Sequence, residues 1–112
     1  MVVLDNVTAE RARQAVAILA RAAPVRAAFV FGAHAFGRAD QWSDLDIAAF
    51  IDGVETWTLR RRVQAVVDAQ KEAGDDIEFH LFPAKFIEHP PIASLGALVL
   101  REGIPVEVPA EP

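Results

Sequence analysis

Cysteine is absent from the 112 residues, so neither a disulfide framework nor a thiolate metal site is open to this chain. No apolar run approaches the roughly 20 residues that a membrane span requires. The first residues, "MVVLDNVTAERAR", lack a basic region ahead of an apolar core, which argues against a secretory signal. Basic charge is not in excess either. Lys and Arg number 11 against 16 Asp and Glu, a net charge of -5, whereas surfaces built for nucleic acid are usually basic. Internal repeats and low-complexity segments are missing as well. These absences predict a soluble, cytoplasmic protein without membrane or direct nucleic-acid partners. The 53% hydrophobic content, in turn, is enough for a folded core. A single domain over residues 1–108 is expected, with 109–112, "PAEP", as a short tail.

Apolar residues at helical spacing predict a first helix over Thr8 to Ala23, capped by Thr8 and stopped by Pro24. "VRAAFVF" (Val25 to Phe31) ends at Gly32 and reads as a strand. "DLDIAAFI" (Asp44 to Ile51), closed by Asp52-Gly53, reads as a second. The dozen residues from Gly32 to Ser43 between them are expected to hold a short helical turn, opening at Ala33 to Phe36. Trp57 to Ala73 carries Leu59, Val63, Val66, Val67 and Gln70 at the 3.6 period, with Gly74 as the C-cap. "DIEFHLF" (Asp76 to Phe82) alternates and forms a third strand. "IASLGALVLREG" suggests a last helix closed by Gly103, and "IPVEV" a short edge strand. The class is α/β or α+β, with one mixed sheet of about four strands flanked by helices.

Chemistry concentrates in two of these strands. Asp44 and Asp46 alternate, so both carboxylates face one side, about 6.6 Å apart along the chain. Leu45 and Ile47 point to the other side. Paired carboxylates repel unless a cation joins them or one is protonated, and hard oxygen ligands suit Mg²⁺ shared with substrate phosphates. Glu78, between Ile77 and Phe79, projects away from the core together with His80. If the third strand lies beside the second, Glu78 meets the aspartate pair. The plainer alternative is a polar edge strand with "SDLD" as a capped turn. His34 and His80 read more simply as hydrogen-bonding surface residues than as ligands. Arg60-Arg61-Arg62 reads as a solvated face, and Trp42 and Trp57 as core or interface residues at least as readily as adenine-stacking ones.

Gly32-Ala33, then His34 to Ser43, then Asp44-Leu45-Asp46-Ile47, followed by Ile77-Glu78-Phe79, resembles the signature of the DNA polymerase β nucleotidyltransferase superfamily. In length the chain is similar to the minimal nucleotidyltransferases, many of which are antitoxins paired with an all-helical HEPN toxin. The resemblance implies a nucleotidyltransferase fold, a two-metal Mg²⁺ site and ATP or another nucleoside triphosphate as substrate. It implies transfer of a nucleoside monophosphate, AMP in particular, to a hydroxyl, for instance a toxin tyrosine. Asp44, Asp46 and Glu78 would be the catalytic and metal-binding residues, with Glu78 as general base. Gly32, Ala33, Arg38 and Ser43 would contact the nucleotide. Two positions depart from the family: Ala33 replaces its usual serine, and Phe36 stands where minimal members commonly have arginine before the second glycine. Those departures fit an alternative in which the chain binds and occludes a helical partner, or assembles as a homo-oligomer, without catalysis.

Overall fold

A computed structural model describes residues 4–40 and 43–110. Its elements run α1 (Asn6–Ala20), β1 (Val25–Phe31), β2 (Leu45–Ile51), α2 (Leu59–Ala73), β3 (Ile77–Pro83), α3 (Leu95–Glu102) and β4 (Ile104–Val106), with short 3-10 turns at Val54–Thr56 and Ala84–Ile87. The four strands form one sheet in the order β3-β2-β1-β4. β1 lies antiparallel to β2 and β4, while β2 and β3 are parallel. Parallel neighbours need a crossover, and α2 supplies it. The described residues thus form an α+β domain of three helices and a four-stranded mixed sheet.

Helix ends deviate from the sequence expectation for local reasons. Asp5, not Thr8, caps α1, its Oδ1 accepting the Thr8 N–H at 2.7 Å. The helix ends at Ala20 and not Ala23, because Arg21 and Ala22 donate three residues back, to Ile18 and Leu19, which tightens the last turn. α2 begins at Leu59 and not Trp57, since the Thr58 hydroxyl caps it and Trp57 stays extended. Ser94 caps α3, so Ile92 and Ala93 remain outside the helix expected to include them, Ala93 with φ 59. Strand β2 starts at Leu45, leaving Asp44 just ahead of it.

Two apolar clusters sandwich the sheet. On one face α1 and α2 cover Val30, Leu45, Ile47, Ile51 and Ile77. On the other, Phe31, Ala48, Phe50 and Val99 are buried with Phe29, Phe82 and Phe86 packed against them. There Phe50 stacks on Phe82 at 5.2 Å and meets Phe29 edge-on at 5.7 Å. β2 is therefore covered on both faces beyond Asp46, where the second face opens.

Candidate metal centre

The pairing of β2 with β3 builds the candidate site. Parallel register sets Asp46 opposite Glu78 and Ala48 opposite His80, while the antiparallel pairing with β1 sets Phe31 opposite Asp46. Four neighbouring positions on the open part of one face thereby carry Phe31, Asp46, Glu78 and His80. His80 Nε2 lies 3.1 Å from Asp46 Oδ1 and 3.9 Å from Glu78 Oε2. One ligand atom from each of Asp46, Glu78 and His80 falls within 4.8 Å of the others. Phe31 meets the imidazole edge-on, with ring centres 4.9 Å apart. Side-chain exposure rises from 22% at Asp46 through 34% at His80 to 53% at Glu78, so Asp46 is the floor of the site and Glu78 its rim.

Gly32 leaves β1 beside that floor. Its φ is +73, and a Cβ built on it would sit 2.5 Å from Asp46 Oδ2. Backbone conformation and proximity to a carboxylate therefore both select glycine here. The chain then makes a wide turn over residues 32–37, with Gly32 O accepting from Phe36 N–H at 3.1 Å and Ala33 O from Arg38 N–H at 2.9 Å. The short helical turn expected between the strands is present as a single turn, and Gly37, again at φ +73, diverts the chain before further helical bonds propagate.

The remaining residues singled out from the sequence occupy the loop. Ala33 is half-buried on the turn, and Arg38 is exposed with its guanidinium 5.4 Å from the Phe36 ring centre. The Ser43 hydroxyl donates to Asp40 Oδ1 at 3.2 Å and accepts the Asp40 N–H at 3.0 Å, which closes the loop ahead of Asp44. His34 Nε2 stands 3.5 Å from the Ser43 carbonyl and lines a separate cleft of about 460 Å³ with Arg11, Asp40, Ser43 and Asp76. None of the Asp46, Glu78 and His80 trio lines that cleft. Trp57 lies under the Arg61 guanidinium at 4.0 Å, while Trp42 falls outside the described residues.

Charge within the site is unbalanced. A shared hydrogen bond and the negative charge of Asp46 raise the Glu78 pKa above the ordinary carboxylate value; slight desolvation and the more distant Asp44 add to this, and His80 opposes it. Asp44 is exposed and lies outside the close trio, so it contributes field to the site and His80 takes the third place beside the two acids. Alternation of β3 put His80 on the face of Glu78, but only the register against β2 brings its ring to Asp46. Carboxylate oxygens accept Mg²⁺ or Mn²⁺, and an added imidazole nitrogen suits Mn²⁺ and Zn²⁺ better than Mg²⁺. No protein-family model and no curated protein sequence matches this chain.

Proposed function

We propose that the chain is a minimal nucleotidyltransferase, transferring AMP from ATP to a hydroxyl of a cytoplasmic partner protein, such as the tyrosine of a HEPN-type helical toxin. The observation that supports this most is the Asp46–Glu78 register on parallel strands, with Gly32 leaving the adjacent strand beside them. Those acids, with Asp44 close in sequence, are the residues that would hold the Mg²⁺ expected from the resemblance. Their fit to a cation rests on the donor set, since one ligand atom each of Asp46, Glu78 and His80 lies within 4.8 Å of the others. When bound, the metal would neutralise triphosphate charge and favour ionisation of the acceptor hydroxyl. Glu78, whose pKa is raised by the neighbouring Asp46 and which is more exposed than Asp46, takes the acceptor proton. The acceptor oxygen bonds to the α-phosphorus as the bond to pyrophosphate breaks. Gly32 leaves room for the Asp46 carboxylate against the backbone, and His80 orients Asp46 through their 3.1 Å contact.

Calorimetric titration of ATP with Mg²⁺ or Mn²⁺ tests this reading. Saturable, metal-dependent binding by the unmodified chain and its loss in folded Asp46→Asn support it. Equal nucleotide binding and transfer by Asp46→Asn would refute the mechanism.

A second reading is favoured by the loop. Ala33 offers no hydroxyl, Arg38 is drawn over Phe36, and the Ser43 hydroxyl is occupied by Asp40. With three phosphate contacts missing or engaged, the same fold serves as a non-catalytic module that neutralises a helical partner by covering it. A stoichiometric complex formed without ATP binding would select this alternative.

A further inference from the structure

Several acids of the chain are matched by arginine from a neighbouring element: Asp76 by Arg11, Glu72 by Arg21 and Asp52 by Arg26. The open part of the sheet face is built differently. Among the described residues, the ion pairs of Asp46 and Glu78 are with His80 alone, and both run to the same atom, Nε2. An imidazole carries one positive charge at most and none when neutral, so two carboxylates on adjacent strands keep negative charge that no arginine or lysine offsets.

The donor atoms are spaced as ligands of one ion. Zn²⁺ holds imidazole nitrogen and carboxylate oxygen at about 2.0–2.2 Å, which puts neighbouring ligands of a tetrahedral or octahedral site roughly 3.0–3.4 Å apart. His80 Nε2 to Asp46 Oδ1, at 3.1 Å, falls inside that range. Nε2 to Glu78 Oε2, at 3.9 Å, exceeds it by about half an ångström, which the exposed Glu78 side chain closes by rotation. The other two donors are constrained by their neighbours: Asp46 Oδ2 lies against Gly32 while Oδ1 faces His80, and the Phe31 ring meets the imidazole edge-on.

The imidazole decides the kind of ion. Mg²⁺ dehydrates reluctantly and is usually held by one or two carboxylates together with substrate phosphates, so a donor set that includes nitrogen and lacks phosphate suits it poorly. Zn²⁺ and Co²⁺ take nitrogen and oxygen alike. We infer that Asp46 Oδ1, Glu78 Oε2 and His80 Nε2 ligate a single divalent transition-metal ion of the Zn²⁺ class, without nucleotide and with the remaining coordination positions open. Nε2 binds through its lone pair, which leaves the ring proton on Nδ1. The site shares residues with the proposed nucleotidyltransferase centre but does not rest on nucleotide transfer. It makes His80 a ligand and leaves Asp44 outside the coordination sphere, in contrast to the two-metal expectation.

The test is titration of Co²⁺ into the full, nucleotide-free chain, followed by visible absorption and proton NMR. One equivalent should bind, with contact-shifted imidazole resonances from one histidine. Zn²⁺ should displace it, while a roughly hundredfold excess of Mg²⁺ should not. His80→Gln, at a partly exposed position, should stay folded, lose the shifted resonances and weaken Co²⁺ by at least about tenfold, the least expected for loss of even an outer-shell partner. Glu78→Gln, at the exposed rim, should also weaken binding but keep the imidazole signal at saturation. Asp44→Asn should weaken it far less, through its field alone. Absence of Co²⁺ binding by the folded chain overturns the inference, as does binding unchanged in His80→Gln because His34 or His89 supplies the imidazole. Affinity that appears only with ATP, or that falls as far in Asp44→Asn as in His80→Gln, overturns it too and leaves the nucleotide-dependent Mg²⁺ site standing. His80-dependent Co²⁺ binding by a chain that never binds ATP upholds it and counts against nucleotidyl transfer alone.

Discussion

Gly32 and Gly53 form a matched pair for separating backbone strain from the geometry of the site. Their φ angles are +73 and +74, but a Cβ at Gly53 meets nothing within 4 Å, whereas at Gly32 it meets Asp46 Oδ2 at 2.5 Å. Placing alanine in this conformation costs about 1–2 kcal/mol. Restriction of the unfolded chain offsets roughly 0.4–1 kcal/mol of that. Gly53→Ala should therefore lose about 1 kcal/mol, or roughly 4–8 °C in Tm. Gly32→Ala carries the same strain and must in addition displace the Asp46 carboxylate by roughly 0.9 Å or more to reach an ordinary contact. That motion breaks the contact with His80, a hydrogen bond to a charged group worth about 1.5–3 kcal/mol. The expected difference between the two variants is about 1–2 kcal/mol, less than the full bond because Asp46 regains water. Parallel urea melts and Mn²⁺ titrations followed by paramagnetic resonance read both consequences. Gly53→Ala should keep the Mn²⁺ affinity of the unmodified chain, while Gly32→Ala should lose at least tenfold. Equal stability losses for the two, with metal affinity unaltered at Gly32→Ala, would refute the assigned role of this close approach.

Three further outcomes follow from the same geometry. Arg11 holds Asp76 in a two-point contact at 2.6 Å, which keeps its pKa below the ordinary value of 3.8. This stabilisation is complete above that value and disappears as pH falls through the depressed one; with both side chains more than a third exposed it is about 0.5–1 kcal/mol. Asp76→Asn should lose that amount at pH 7 and show a shallower acid limb in stability against pH. Glu78 has the opposite sign: its raised pKa means that folding is penalised as pH rises through it. In chelator-treated solution Glu78→Gln should melt higher than the unmodified chain at pH 7 and no higher at pH 4; equal melting of the two at both pH values would count against repulsion between Glu78 and Asp46. Ser94→Ala removes the hydroxyl that accepts the Ala97 N–H at 3.1 Å and donates to the Pro91 carbonyl at 2.7 Å. A loss of about 1 kcal/mol, with amide exchange rising first in the eight residues of α3, is expected.

Local chemistry made most elements readable in advance. β1 begins and ends where alternation, Pro24 and Gly32 place it, and Gly74 closes α2 at the expected residue. Most errors lie at helix starts, where Asp5, Thr58 and Ser94 compete with neighbouring residues for the same free N–H groups, while α1 also ends three residues early and β2 starts one residue late. Helical periodicity in Leu59, Val63 and Val67 was also legible, but periodicity identifies an apolar stripe without saying what covers it. In α2 that stripe overhangs an open sheet edge.

The candidate site divides along the same line. By itself, the sequence determined that Asp46 and Glu78 each oppose core residues on alternating strands, and that a glycine turn precedes the first of them. These facts depend on spacing between near neighbours. Tertiary structure alone decided that β2 and β3 are adjacent and parallel, that Asp46 and Glu78 share a register, and that His80 rather than Asp44 completes the close trio. Register between strands 32 residues apart depends on how α2 spans the sheet and on which face each apolar set can bury. Those conditions are settled only when the whole chain packs.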